Sequence, residues 1–341
     1  MALNEKFFKS EVADTGSFKT VLYDGNGYPN SGTQTINVGF PADLIWIKER
    51  ETTAYHNITD RVRGPGVSMY SNGTNAQSSY NATTVSFDSS GFQLGRDSGG
   101  DGVNRLESSY GPYVAWCWKA GGAASSNYNG TITTQVSANT NGSFSIVGWS
   151  GTGIANTKIG HGLGSKPELI ILKKRNAANN WIVFFTDTSI GGYLDLTNAF
   201  SANNYSAWLN SIEPTSSVIN LNNYSYIEGG VGGEMIAYCF ASVAGVSKVG
   251  SYTGATPSTV TVTVGFQPSF IMIKRTDSAE DWKIIDSSRN TFANSLEPNE
   301  SIAEEANNNS SFSSNSTSFT IGDPHGDYNA SGGTYIYMAF A

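Results

Sequence analysis

One stretch of this chain is written three times, and that repetition limits what the chain can fold into. The first copy runs from Gly39 through Pro41 and Leu44-Ile45-Trp46-Ile47 to Lys48. The second runs from Gly162 through Pro167 and Leu169-Ile170-Ile171-Leu172 to Lys173, and the third from Gly265 through Pro268 and Phe270-Ile271-Met272-Ile273 to Lys274. A second landmark closes each copy: Tyr113-Val114-Ala115-Trp116-Cys117-Trp118, Met235-Ile236-Ala237-Tyr238-Cys239-Phe240 and Tyr335-Ile336-Tyr337-Met338-Ala339-Phe340. Lys48 to Cys117 spans 69 positions, Lys173 to Cys239 spans 66 and Lys274 to Ala339 spans 65. A near-constant interval between two landmarks marks an internal triplication.

Each copy offers several short apolar or aromatic runs separated by Gly, Pro and Asn turns, with almost no helical periodicity. This predicts an all-β chain of three tandem antiparallel β-sandwich, jelly-roll-like repeats. The expected boundaries are an N-terminal arm at 1–20, repeats at 21–122, 144–245 and 246–341, and a connecting segment at 123–143. Leu44–Ile47 and its counterparts lack strict alternation, which suits strands buried on both faces. A three-sheet prism or a small propeller is the alternative arrangement. The middle of each copy varies: Ser189 to Thr215 reads as a loop, and Ile302 to Ala306 as a helical turn.

Composition narrows the function classes. Only 14% of the residues are charged, against about 25% in an average domain, so solubility rests on neutral hydrogen-bonding groups. The formal net charge of -8 and the lack of clustered Lys and Arg argue against nucleic-acid binding. No apolar stretch reaches the roughly 20 residues of a membrane span, so no membrane insertion is expected. The N-terminal residues lack a signal-peptide pattern. Cys117 and Cys239 occupy the same repeat position and read as buried thiols rather than a disulfide.

Candidate chemistry is sparse. Lys48, Lys173 and Lys274 recur at the end of the apolar strand and read as structural, their stems covering apolar surface. Asp60 and Asp286, each near an arginine, read as loop ties. The sequence contains no nucleophile elbow, zinc spacing or phosphate loop, and no catalytic residue, cofactor or metal is assigned. Asp97/Asp101 and Asp323/Asp327 could offer oxygens to Ca²⁺, but an Asx-type turn is the simpler reading. Aromatic residues are the better lead: Tyr193, Tyr205, Trp208 and Tyr110 are ligand-binding candidates, because exposed rings stack on sugars and anchor interfaces. Trp46, Trp116, Trp149, Trp181 and Trp282 are strand residues assigned to cores or inter-domain contacts. Leu3, Phe7 and Phe8 are attachment candidates in the arm.

The Gly39–Lys48 run, the Tyr113–Lys119 strand with Ala120-Gly121-Gly122, Ser137-Ala138-Asn139-Thr140 and Ile159-Gly160-His161-Gly162-Leu163 together resemble a repeated domain of tail-fibre-like and appendage proteins of marine tailed bacteriophages. The resemblance covers residues 21 to 341 and carries no catalytic residues. It implies a non-enzymatic virion-surface protein, a fibre, knob or decoration on capsid or tail, released by host lysis. Other virion proteins, a host-surface glycan and further copies of the chain, such as a trimer, are the partners it implies. The alternatives are a carbohydrate-binding adhesin, with Tyr193, Tyr205 and Trp208 lining a groove, and a polysaccharide depolymerase.

Overall fold

The computed structural model describes residues 16–26, 33–79, 84–95, 103–105, 112–306, 312–322 and 324–341. The fold is all-β, with three large antiparallel sheets of matching strand order. The first runs Phe18–Tyr23, Tyr113–Trp118, Leu44–Glu49, Asn57–Asp60, Val67–Tyr70 and Ser78–Ser79. In the third, the order is Ser247–Thr253, Thr334–Phe340, Phe270–Arg275, Trp282–Asp286, Asn294–Leu296 and Glu305–Ala306. The second is built on Phe144–Ser150, Glu234–Phe240, Leu169–Lys174, Ile182–Phe185 and Ile190–Tyr193, and gains two strands at one edge, Ser125–Asn127 and Thr134–Ala138. The connecting segment at 123–143, where Thr131 to Val136 also reads as a strand, thus contributes these two strands to the second sheet. Each large sheet is partnered by a small one: Gln34–Asn37, Gly91–Leu94 and Thr84–Phe87 in the first unit, Thr157–Gly160 with Val218–Leu221 in the second, and Val260–Thr263, Ser318–Ile321 and Ser313–Ser314 in the third. The opening strands interleave between the two sheets in jelly-roll fashion, and the rest of each large sheet is a meander.

The repeated sequence makes the same local geometry each time. Gly39, Gly162 and Gly265 sit at φ of 94°, 75° and 86°, a region where a side chain is strained and glycine is not. The chain turns there and enters the central strand. The Tyr113–Trp118 strand is buried along its whole length, because its two faces serve two cores. Tyr113, Ala115 and Cys117 face the small sheet of their own unit, whereas Val114, Trp116 and Trp118 point into a core shared by all three units. Ile236, Tyr238 and Phe240 and then Ile336, Met338 and Phe340 do the same. Cys117 and Cys239 are both buried free thiols.

The shared core organises the molecule. Trp118, Phe240 and Phe340, each the last residue of a closing strand, form a triangle. Their ring centroids lie 6.2, 6.0 and 6.2 Å apart at interplanar angles of 67°, 79° and 74°, within the edge-to-face range aromatic rings prefer. Phe18, Phe144 and Phe270 flank it, with Phe18 5.0 Å from Phe270 and Phe144 4.9 Å from Phe240. The three sandwiches are thus arranged as a three-sided prism around one axis, rather than as beads on a string. The accessible surface is 13247 Å² for a 36.3 kDa chain. One compact body of this mass exposes about 13,400 Å² and three separate thirds would expose about 18,000 Å².

The Ser189–Thr215 stretch is not a loop. It contains the strand Ile190–Tyr193 and the helix Ala202–Leu209, capped by the Ser201 side chain, which accepts from the Asn203 N–H at 3.1 Å. A Cβ at Gly191 would meet the Trp208 ring at 3.1 Å, so glycine there lets the helix lie on the strand. The turn expected at Ile302 to Ala306 is likewise corrected: Glu305–Ala306 pairs as an edge strand with Asn294–Leu296.

Replacing Trp118 by Ala should destabilise the chain by about 3–5 kcal/mol, the cost of emptying a packed aromatic site. Urea unfolding checks this. Cys117→Ala, on the other face of the same strand, should cost much less.

Candidate functional site

The residues the triplication repeats converge on the seams between units. Backbone pairs close the ring in one direction: Asn179 N–H donates to Thr74 O at 2.9 Å, Glu280 N–H to Thr197 O at 3.0 Å, and Ala54 N–H to Ser301 O at 2.8 Å. A second set joins Gln77 to Arg175 O, Phe200 to Thr276 O and Glu304 to Arg50 O. Contact therefore passes from the first unit to the second, from the second to the third, and from the third back to the first.

Lys48, Lys173 and Lys274 are fully buried beside these contacts. Lys173 Nζ donates to Thr74 O at 2.8 Å and to Asn179 O, and Lys274 Nζ donates to Thr197 O at 2.9 Å and Glu280 O at 2.6 Å. Lys48 stays within its own unit, donating to Glu49 O at 2.6 Å and Thr52 O at 3.3 Å. Loss of hydration lowers all three ammonium groups to about 8. These lysines are structural, as expected, but they act through the buried ammonium as well as the stem.

Asp60 and Asp286 each pair with the arginine three residues on and tie its turn through backbone N–H groups, as expected, and they are buried and reach across the seams as well. Asp60 holds Arg63 and accepts from the Tyr238 hydroxyl of the second unit at 2.8 Å. Asp286 holds Arg289 at 2.6 Å and accepts from the Trp116 indole of the first unit at 3.0 Å. In the second unit the same register position carries Phe185, and the third-unit position corresponding to Tyr238 and Trp116 is Met338. Donor and acceptor are replaced together by apolar residues, so no charge is left alone. The ring also closes through Arg50, which holds Glu304 through Nε at 2.8 Å and Nη2 at 2.9 Å. Arg50 with Arg289 keeps the Glu304 carboxyl down at about 2. In the first unit His56 replaces the strand tryptophan. It is buried, accepts from the Trp46 indole at 3.0 Å, and is held well below its ordinary pKa by that burial.

Of the four aromatic candidates, the structure brings Tyr193, Tyr205 and Trp208 together around one helix and strand, and Tyr110 lies outside the described residues. Tyr205 and Trp208 are 2% and 3% exposed. They pack on Phe184 at 6.1 and 5.8 Å, so the expectation of exposed loop rings is corrected to core residues of a helix. Tyr193 is half-buried at the end of its strand, with its ring 5.6 Å from that of Trp208. It lines a groove of about 490 Å³ together with Thr74, Asn179, Asn180, Ile182 and Tyr226. The sequence reading missed Tyr226. It stacks on Tyr224 at 5.3 Å, and Tyr224 is 40% exposed, so the Tyr-x-Tyr spacing before the closing strand was the available signal. Two further grooves lie along the seams, one of about 530 Å³ beside Tyr252 and Thr276, and one of about 290 Å³ beside Trp149 and Arg175.

Leu3, Phe7 and Phe8 of the arm, and Asp97, Asp101 and Asp323, also lie outside the described residues. Asp327 is buried and holds Lys283 at 3.1 Å together with Glu297. Its carboxylate is thus engaged in an ion pair. Among the described residues, no group of three or more His, Cys, Asp or Glu is placed to hold a metal ion, and no helix is long and apolar enough to cross a membrane.

Sequence comparison adds a family to this geometry. The chain belongs to the family described as Domain of unknown function (DUF7483), which matches residues 14–341. The match takes in all three units. No curated protein matches the chain.

The three lysines set a pH dependence. Their folded pKa of about 8 lies below the ordinary 10.5, so the unfolded chain binds more protons between those values and stability rises with pH there. From the ordinary thiol range upward Cys117 and Cys239, whose burial raises their pKa, oppose the gain. Stability should therefore increase from pH 7.5 to 8.5, by on the order of 2 kcal/mol from the three lysines together. Lys173→Met should show a lower baseline and a shallower rise in urea titrations across that range.

Proposed function

We propose that this chain is a non-enzymatic structural protein of a bacteriophage particle, exposed on capsid or tail as a fibre, knob or decoration and released by host lysis. The observation that carries this reading is the use made of the repeated side chains. The lysines, the Asp–Arg pairs and most of the tryptophans are spent on seams and cores, which is the chemistry of a durable building block. The low-charge surface rich in Asn, Ser, Thr and Gly suits an extracellular setting. The sequence resemblance to appendage proteins points the same way. On this reading the N-terminal residues, including Leu3, Phe7 and Phe8, attach the ring to other virion proteins, and copies assemble further, as a trimer in the simplest case.

A second reading, a cell-surface carbohydrate-binding adhesin, is favoured by the tyrosine-lined groove at Tyr193. A depolymerase requires two carboxylates facing each other across a sugar; the buried carboxylates Glu297 and Asp327 both hold Lys283.

Electron microscopy of native particles carrying a label on this chain tests the proposal. Label at regular positions on capsid or tail is the expected result. Unlabelled particles, with the free protein binding cells, would replace the virion role by that of a free adhesin.

A further inference from the structure

The register position that builds the groove at Tyr193 has counterparts in the other two units, and the three differ in chemistry. Ile182 and Tyr193 are cross-strand partners in the second unit. Trp181 and Trp282 mark the same place in successive units, since their indoles donate to Tyr70 O at 2.7 Å and Tyr193 O at 2.8 Å of the preceding unit. The residue after each tryptophan is Ile182 or Lys283, and Glu297 lies opposite Lys283 because Ile284 pairs with Leu296. In the third unit the position is thus occupied by Lys283, held by Glu297 and Asp327. Its first-unit counterpart pairs Asn57 with Tyr70, and Tyr70 stacks on Tyr55 at 4.6 Å. In the second unit the place combines an open volume, tyrosine rings and side-chain amides.

We propose that the groove formed by Thr74, Asn179, Asn180, Ile182, Tyr193 and Tyr226 binds a neutral sugar of a surface glycan. Two tyrosines offer aromatic faces to the C–H side of a pyranose, and their hydroxyls remain available as polar handles. The Tyr193 hydroxyl is kept neutral, its pKa raised by burial and by the neighbouring Tyr226 and Asp195. Asn179, Asn180 and Thr74 supply amide and hydroxyl groups of both donor and acceptor kind, which matches a ring of hydroxyls. The lining contains no charged side chain, so an acidic sugar finds no counter-ion, whereas a neutral one needs none. At about 490 Å³ the groove is within the range of small-ligand sites. One wall is rigid: the Asn179 backbone is fixed at the seam by Thr74 and Lys173, so the first two units must be joined for the site to exist. The inference rests on the reading that this surface contacts host glycan.

The test is a glycan array carrying neutral and acidic oligosaccharides, followed by isothermal titration of the full chain with the neutral oligosaccharide that gives the strongest signal. Wild-type protein should bind neutral glycans in preference to sialylated or uronate-containing ones. Asn180→Trp, which fills the groove without removing a core residue, should abolish binding with the melting temperature unchanged. Tyr193→Phe, which keeps the ring on Trp208, should weaken binding about 10-fold. Wild-type binding that survives both substitutions overturns the groove while leaving the glycan-contact reading in place. Binding to acidic glycans alone overturns the inference and leaves the adhesin reading in place, no binding to any glycan overturns both, and particle labelling judges the virion role independently.

Discussion

Each large sheet is apolar on both faces, and this one constraint shapes the rest of the structure. A sheet covered on one side by its own small sheet still presents Val114, Trp116 and Trp118, or their counterparts, on the other. Burial of apolar area is worth roughly 25 cal/mol per Å², so leaving three such faces in water would be prohibitive for a marginally stable chain. Three sheets at a common axis satisfy one another, and the Trp118–Phe240–Phe340 triangle is where they meet. Tandem beads would leave all three faces open.

The polar seams follow from that closure. Bringing sheets together buries strand-end carbonyls and amides, and buried backbone groups must be paired. Lys173 and Lys274 meet part of this need, donating to carbonyls across two of the seams, Lys48 serves carbonyls of its own unit, and the cyclic backbone pairs meet more of it. The three seams are not copies. Asp60 with Tyr238 and Asp286 with Trp116 are polar solutions, and Phe185 with Met338 is the apolar one. Both partners change together because a carboxylate facing methionine, or a phenol facing phenylalanine, would leave a buried polar group unpaired. At this register position the departures from strict repetition fall in matched pairs across seams.

Much of this architecture was legible in the sequence. The triplication, the strands and the core tryptophans follow from local pattern, and the unbroken Leu44–Ile47 run already indicates burial on both faces. A three-sheet prism was open only as an alternative to tandem sandwiches, because the partner of Trp118 is set by contacts more than a hundred residues away. The Ala202–Leu209 helix was missed for a local reason: Ala202-Asn203-Asn204-Tyr205-Ser206 is a poor helix former, and its signal is the single i, i+3, i+4 triad of Tyr205, Trp208 and Leu209. That misreading made two core residues look like ligand contacts. Tyr193 kept its place because it ends an edge strand and its own side chain is only half-buried, and Tyr226 escaped notice because its role depends on a groove assembled from two units.

The central claim is that three sandwiches form one cooperative body, with function carried on a scaffold whose repeated residues are committed to seams. Differential scanning calorimetry of the full chain tests this most directly. One transition with a van't Hoff enthalpy close to the calorimetric enthalpy is the result this structure predicts. Three resolved transitions, or a van't Hoff enthalpy near one third of the calorimetric value, would show sandwiches unfolding independently and contradict the shared core.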